Sequence, residues 1–211
     1  MKTFIFILLS AGLLLSCRTD SERRATSADD LIKPEADFLI IPGKRVGMIT
    51  ATSTETMLRK AYTDAKVRRS EVYVSEGFQR AGTVVFPDTK DALEIVWEIG
   101  APEGKPAFVR IGEEGGKWKT PEGVAIGMTI EALEEVNGKP FRLYGFEWDY
   151  GGLVVDWDGG RLNSPYLIVV LMPQDYSHLK PELLRDVILR SDNEALRALQ
   201  PKIASIVLTF E

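Results

Sequence analysis

The sequence predicts an α+β fold of two similar units, each a short helix with an antiparallel sheet, followed by C-terminal helices and a final strand. The order of one strand, one short helix and three strands occurs twice, and turn residues separate the runs. Gly-Val-Ala-Ile-Gly-Met-Thr at 123–129 also echoes Arg-Val-Gly-Met-Ile-Thr at 45–50. We therefore expect repeats at 38–106 and 107–211. Chance similarity is the competing interpretation, because few residues are identical.

The first unit starts with strand-like residues at 38–41 and a turn into a second strand ending near Ile49. Thr52 to Glu55 has the spacing of a capping box, which predicts the start of a helix. Apolar residues follow at helical spacing: Met57, Leu58, Ala61 and Tyr62. Three strands are predicted next, at 67–74, 83–86 and 93–99. The prolines at 102–106 then break the chain.

The second unit contains a helix at 130–136, with Thr129 as its N-cap and Asn137-Gly138 as its stop signal. Three strands are predicted after it, at 141–150, 153–157 and 166–171.

The C-terminal segment predicts two helices and a strand. Pro181 suits the first turn of a helix whose apolar face is Leu183, Leu184, Val187 and Ile188. A capping box at 191–194 opens a second helix, which Pro201 stops. One apolar face of the final strand is formed by Ala204, Ile206, Leu208 and Phe210.

The N-terminus has the pattern of a secretory signal. Lys2 precedes an apolar run at 4–15, which is shorter than the roughly 20 apolar residues that span a bilayer. The run ends in Leu-Leu-Ser-Cys at 14–17, which resembles the lipobox of bacterial lipoproteins. The resemblance implies that 1–16 is a signal peptide that is removed, and that Cys17 is acylated, as by palmitate, on its sulfur and amine. An uncleaved anchor with a chance cysteine is the alternative.

Cys17 is the only cysteine, so its lipidation would leave no thiol for catalysis, metal binding or a disulfide. Loss of Lys2 with the signal peptide makes the formal charge of −5 one unit more negative. Because there is no basic excess, nucleic acid is not an expected partner.

The polar, charged stretch at 17–37 shows no apolar periodicity and predicts a flexible tether before an α+β domain at 38–211. The expected partner is thus a membrane of the cell envelope, bound through the N-terminal lipid, and another envelope protein is a candidate. Arg18, rather than aspartate, follows the cysteine. By resemblance to lipoprotein sorting, this favours the outer membrane.

Gly151-Gly152 predicts a tight hairpin. A two-residue loop would place Tyr150 opposite Leu153, Trp148 opposite Val155, and Phe146 opposite Trp157, all on one apolar face. The other face would carry Glu147 opposite Asp156, with Asp149 and Asp158 further along. Like charges in this position are unfavourable. Three alternatives remain open: nearby Arg or Lys neutralises them, a cation binds, or a longer loop moves Asp149 into the turn.

This hairpin supplies the candidate ligand or cation surface, which consists of Glu147, Trp148, Asp149, Asp156, Trp157 and Asp158. A solvated acidic face is the simplest interpretation, because calcium needs about six to eight oxygen ligands. No metal site, cofactor or catalytic residue is assigned. Glu147 and Asp156 could instead be the paired carboxyls of a glycosidase, with Trp157 stacking on a sugar. His178 is the only histidine and is expected at the surface.

A family resemblance rests on Ile126-Gly127-Met128-Thr129, Leu133 and Gly138-Lys139-Pro140. These residues resemble a signature of small envelope lipoproteins, including outer-membrane assembly factors, and of the β-lactamase-inhibitor-protein-like fold. In that fold a helical segment packs on a small antiparallel sheet, and the unit can be duplicated. The first half departs from the pattern, since no G-x-P follows its helix. Asn137 to Phe141 and Gly145 to Gly152 also resemble stretches of uncharacterised bacterial envelope lipoproteins.

The resemblance implies a non-enzymatic, protein-binding role and transfers no particular residue. We therefore expect a lipid-anchored binding or scaffold module of the cell envelope. The alternatives are an envelope glycan hydrolase that uses paired carboxylates and an inhibitor of a foreign hydrolase.

Overall fold

The computed structural model describes residues 37–75, 77–99, 104–112 and 115–211. The predicted signal peptide, Cys17 and the predicted tether up to residue 36 lie outside the described residues. None of the helices in the described ranges has the length and hydropathy that a membrane span requires.

The predicted α+β class is confirmed, with three α-helices and twelve strands in antiparallel sheets among the described residues. The helices are α1 (Glu55–Tyr62), α2 (Ile130–Asn137) and α3 (Glu194–Arg197). The strands are β1 (Ile40–Ile41), β2 (Arg45–Val46), β3 (Ile49–Thr50), β4 (Val67–Ser75), β5 (Phe78–Val85), β6 (Leu93–Trp97), β7 (Pro106–Ile111), β8 (Arg142–Tyr144), β9 (Val154–Asp156), β10 (Leu167–Met172), β11 (Ile188–Arg190) and β12 (Lys202–Leu208). Both longer helices precede antiparallel strands, α1 before β4 to β7 and α2 before β8 to β10.

A six-stranded sheet in the order β10-β12-β7-β6-β5-β4 forms the centre of the domain. Two three-stranded sheets, β1-β2-β3 and β11-β8-β9, accompany it. Side chains alternate between the faces of a strand, so residues in register across the central sheet share one buried face. This face carries Val85, Leu93, Ile95, Val109, Ile111, Val169, Ile206 and Leu208.

Local side chains cap both longer helices, and α2 starts at the predicted residue, whereas α1 starts two residues later than the capping box predicts. Thr129 Oγ1 accepts the N–H of Ala132 at 3.3 Å, and Gly138 ends α2 in the left-handed conformation, as predicted. The cap of α1 is Thr54 rather than Thr52, and its hydroxyl accepts the N–H of Met57 at 3.3 Å.

The sequence predicts no strand at 106–111, because Pro106 belongs to the predicted break in the chain. Pro106 is instead the first residue of β7, a position that tolerates proline. β7 therefore starts at the predicted boundary between the repeats.

The predicted helix after Pro181 is wrong. Pro181–Leu183 is a single 3₁₀ turn, and Ile188 begins strand β11. The helix does not continue because the main-chain groups after Pro181 bond to Phe146. Leu183 C=O accepts the N–H of Phe146, and Arg185 N–H donates to Phe146 C=O. Arg185 also has a φ of 67°, which is incompatible with a continuing α-helix.

The second predicted C-terminal helix and the final strand are confirmed as α3 and β12. The cap of α3 is Asn193 rather than Ser191 of the predicted capping box, and its side chain accepts the N–H of Leu196 at 3.0 Å. Ala204 is not a core residue, because the register shifts: Ser205 pairs with Val170, whereas Ile203 pairs with Leu171. Ile203 consequently takes the buried position.

A buried carboxylate connects α1 to β4. Glu55 is 4% exposed, and its carboxylate accepts hydrogen bonds from Arg59 Nε at 2.8 Å and Arg69 Nε at 2.7 Å. Burial raises the pKa of Glu55, but the hydrogen bonds and positive charges of Arg69 and Arg59 outweigh it, so this pKa lies below its ordinary value. Arg59 Nη1 also donates to Val67 C=O at 3.1 Å.

Candidate binding surface

The predicted two-residue hairpin at Gly151-Gly152 is wrong. β8 and β9 pair through Arg142 with Asp156 and Leu143 with Val154, so nine residues, 145–153, connect them. The predicted strand at 141–150 is accordingly reduced to Arg142–Tyr144. Phe146 is buried and bridges Leu184 instead of facing Trp157.

Gly152 fixes the end of this connection against the central sheet. Its φ is 72°, in the left-handed region that suits glycine. The predicted hairpin instead placed both Gly151 and Gly152 in a tight turn. Its N–H donates to Tyr144 C=O at 3.2 Å, and its C=O accepts the N–H of Leu171 in β10 at 2.9 Å. The chain can pass so close to β10 only where no side chain intervenes.

Tyr144 at the end of β8 and two residues of the connection, Trp148 and Tyr150, form a series of three aromatic rings, which we call the aromatic ladder. Trp148 meets Tyr144 edge to face at 5.0 Å between centroids and meets Tyr150 in the same way at 5.2 Å. Its indole Nε1 donates to Gly145 C=O at 3.0 Å, which holds the ring in place. Tyr150, at the outer end, is 57% exposed.

The outer face of the β11-β8-β9 sheet extends the ladder. Ile188 lies directly opposite Tyr144 and is 60% exposed, while the neighbouring pair Leu143 and Leu189 is buried on the inner face. We call Tyr144, Trp148, Tyr150 and Ile188 together the aromatic surface.

Arginines accompany the acidic residues of this region. Arg142 lies 3.5 Å from Asp156 and 3.6 Å from Asp158, and all three side chains are roughly half exposed. Arg142 therefore neutralises Asp156 and Asp158, although Glu147, the predicted partner of Asp156, does not lie opposite it. Elsewhere on the same face, Arg190 pairs with Asp192 at 2.8 Å. Within the described ranges, no three His, Cys, Asp or Glu side chains come together as a metal site.

The remaining predicted residues are dispersed. Glu147 and Asp149 lie exposed in the 145–153 connection. The longer loop, another of the predicted alternatives, is therefore present. Glu147 does not face Asp156 in the β8-β9 pairing. Trp157 is 5% exposed and packs on Phe141 at 5.3 Å, so it belongs to the core and cannot stack on a sugar.

Trp148 alone of the six predicted residues joins the aromatic surface. Sequence reasoning assigned Tyr144 to a long strand and Ile188 to a helix, and thereby missed both as surface residues. The alternation of buried Leu143 with Tyr144, and of buried Leu189 with Ile188, is the signal that could have found them.

His178 is exposed, as predicted. Its Nδ1 lies 3.0 Å from Ser177 Oγ and 3.2 Å from Asp175 Oδ2. A catalytic triad requires the serine and the aspartate on different ring nitrogens. This cluster is therefore a local surface turn rather than a triad.

Comparison of the chain with protein-family models, curated proteins and solved structures found no match. The resemblance to envelope lipoproteins therefore stays a prediction. The aromatic surface and its charged neighbours are the observations that bear on function.

We expect Gly152→Ala to lower the free energy of unfolding by about 3 kcal/mol or more, a loss typical of a forced steric clash. A Cβ there would lie 1.8 Å from Leu171 O. Gly123→Ala is the matched control, because its φ is also positive, 92°, but nothing lies within 4 Å of its Cβ position. Gly123→Ala should lower the free energy of unfolding by only about 1 kcal/mol, the strain of an alanine in the left-handed region. Urea denaturation measures both, and equal losses would contradict the close approach to β10.

Proposed function

We propose that the protein is a lipid-anchored, non-catalytic binding module of the cell envelope, held at the outer membrane, and that it binds another envelope protein through the aromatic surface. The observation that carries this proposal is the aromatic ladder, whose exposed end and neighbouring Ile188 present apolar surface to solvent.

The ladder is ordered before any partner arrives. Edge-to-face contacts on both sides of Trp148, and its hydrogen bond to Gly145, restrict its side-chain torsions. A partner that docks on such rings loses less side-chain entropy than one that must order them. Tyr and Trp supply large contact areas at low entropic cost, which is why they dominate binding hot spots.

The charged neighbours suit the rim of a protein interface. Arg142 with Asp156 and Asp158, and Arg190 with Asp192, place both signs of charge on the face that carries Tyr144. Such exposed pairs contribute little to stability. Their effect on binding is to orient the partner and to disfavour wrong ones.

A protein partner is favoured over a glycan substrate. Hydrolysis of a glycan needs two carboxyl groups that face each other across the scissile bond. Asp156 is on β9 beside Arg142, whereas Glu147 is in the connection after β8. The aromatic residue that would have stacked on a sugar, Trp157, is in the core.

The lipid anchor is supported by the signal pattern and the lipobox at 14–17. The resemblance to envelope lipoproteins also implies a protein-binding role. A polar stretch of about twenty residues between Cys17 and the domain would let the aromatic surface reach a partner away from the membrane.

Radiolabelled palmitate should enter the wild-type protein in growing bacterial cells and should not enter Cys17→Ala, because the thiol and the cleavage site are both lost. Thr19→Ala, which leaves the lipobox intact, is the control and should be labelled like the wild type. Equal labelling of Cys17→Ala and wild type would contradict the anchor.

A photoreactive benzoylphenylalanine in place of Tyr150 should form one discrete adduct with a protein in cells of the native bacterium. The same replacement at Tyr176, which is 52% exposed in a separate 3₁₀ turn, is the control and should give none. Adding Trp148→Ala to the position-150 variant should reduce the adduct about tenfold, because a hot-spot truncation costs about 1–2 kcal/mol or more.

Adducts of equal yield at both positions, or a position-150 adduct that Trp148→Ala leaves unchanged, would contradict the proposed surface. A Trp148-dependent adduct with cell-wall glycan would contradict the protein partner.

A further inference from the structure

β4 forms one edge of the central sheet. Two hydrogen bonds show which of its main-chain groups point toward β5 and which point away from it. Lys66 C=O accepts the N–H of Phe86 on the side of β5, whereas the next carbonyl, of Val67, accepts from Arg59. Main-chain groups of successive strand residues point to opposite sides in an antiparallel pair. Arg69, Glu71 and Tyr73 therefore direct N–H and C=O away from β5.

Among the described residues, no main-chain partner covers this stretch of β4, and Glu71 C=O accepts only the neighbouring hydroxyl of Ser70, at 3.3 Å. The other edge of the sheet differs, because Leu171 in β10 bonds to Gly152 and Val170 bridges Leu153. Proteins protect an edge by keeping it short, by placing proline or charged residues on it, by a β-bulge, or by covering it. β4 is nine residues long and contains no proline, and its register shift lies between Tyr73 and Ser75, beyond the stretch from Arg69 to Glu71. This stretch carries two charged residues, Arg69 and Glu71.

We propose that β4 pairs antiparallel with β4 of a second copy of this chain, about a two-fold axis at Ser70. Arg69 then faces Glu71 of the second copy, and Glu71 faces its Arg69. Each of these pairs exchanges two main-chain hydrogen bonds, so the symmetric contact contains four. The same surface thus serves both subunits, as a two-fold dimer requires.

The charges select this register. Opposite charges that face each other across a strand pair stabilise it, and like charges destabilise it. An axis at Glu71 would set this carboxylate against its own copy, and an axis at Arg69 would do the same with two guanidinium groups. Both hydrogen bonds from Arg69 to Glu55 use Nε, so its terminal nitrogens can reach the second copy's carboxylate.

The apolar surroundings suit the same contact. The paired stretch is limited to Arg69–Glu71, because Arg59 occupies the outward carbonyl of Val67. Tyr73, which is 49% exposed, lies just beyond this stretch. A groove of about 1170 Å³ with a mostly apolar lining, including Phe78 and Trp97, opens beside β4. One strand pair is a small interface, so the dimer belongs to the weak class. It does not involve the aromatic surface, which lies on the β11-β8-β9 sheet and on the 145–153 connection.

Disulfide trapping tests the register. In the full chain with Cys17→Ala, Ser70→Cys places a single thiol at the axis, where Cα atoms of a non-hydrogen-bonded pair are about 4.5 Å apart. This distance is within the range of a disulfide. Arg68→Cys is the control, because its two copies would be roughly 14 Å apart in this register. Mild oxidation should cross-link Ser70→Cys at least tenfold faster than Arg68→Cys.

Glu71→Arg tests the charges, because it sets two arginines opposite each other at both pairs. Added to the Ser70→Cys chain, it should reduce the cross-linking rate at least tenfold, while circular dichroism stays unchanged. High salt should slow cross-linking of the parent as well.

Sedimentation equilibrium of the Cys17→Ala chain, solubilised at about 1 to 200 µM, measures whether the protein dimerises without any change in β4. A reversible dimer is expected. A monomer throughout this range would overturn the proposal, as would equal cross-linking at positions 68 and 70 or no effect of Glu71→Arg.

Discussion

The last strand, β12, lies between the edge strand β10 and β7 in the central sheet, and this placement holds the two halves of the chain together. β12 pairs antiparallel with β7 on one side and with β10 on the other, and Ile206 is in register with both Ile111 and Val169. The strands β4 to β7 form a consecutive antiparallel series, whereas β10 comes from the second half of the chain. β12 is the strand that joins them, so both halves share one apolar face.

This constraint extends to the aromatic surface. β10 is fixed by β12, and it holds Gly152 through the N–H of Leu171. Gly152 in turn bonds to Tyr144, the first ring of the ladder. The connection therefore covers one edge of the central sheet and orders the rings in the same contact. At the other edge β4 has no such cover, which is why self-association is proposed there and partner binding at the aromatic surface.

Features that depend on local chemistry were predictable from the sequence, and those that depend on distant contacts were not. The ends of α2 follow from Thr129 and Gly138, which act on their own helix. The hairpin prediction was wrong, although the alternating aromatic residues fit a two-residue loop. The main chain of Phe146 bonds instead to Leu183 and Arg185, some forty residues away. The same contact turned the helix predicted after Pro181 into a 3₁₀ turn and a strand. The aromatic surface therefore lay beyond sequence reasoning, since it needs Ile188 beside Tyr144.

Native-state hydrogen exchange tests most directly whether β12 holds both the sheet and the aromatic connection. If β12 holds both, the amides of Leu171, which bonds to Gly152, and of Val207 in β12 exchange with the same free energy of opening, equal to that of global unfolding. Ile206→Ala, which leaves a cavity in β12, should lower both by the same amount. If Ile206→Ala left the free energy of opening at the Leu171 amide unchanged, β12 would not be what holds the aromatic connection.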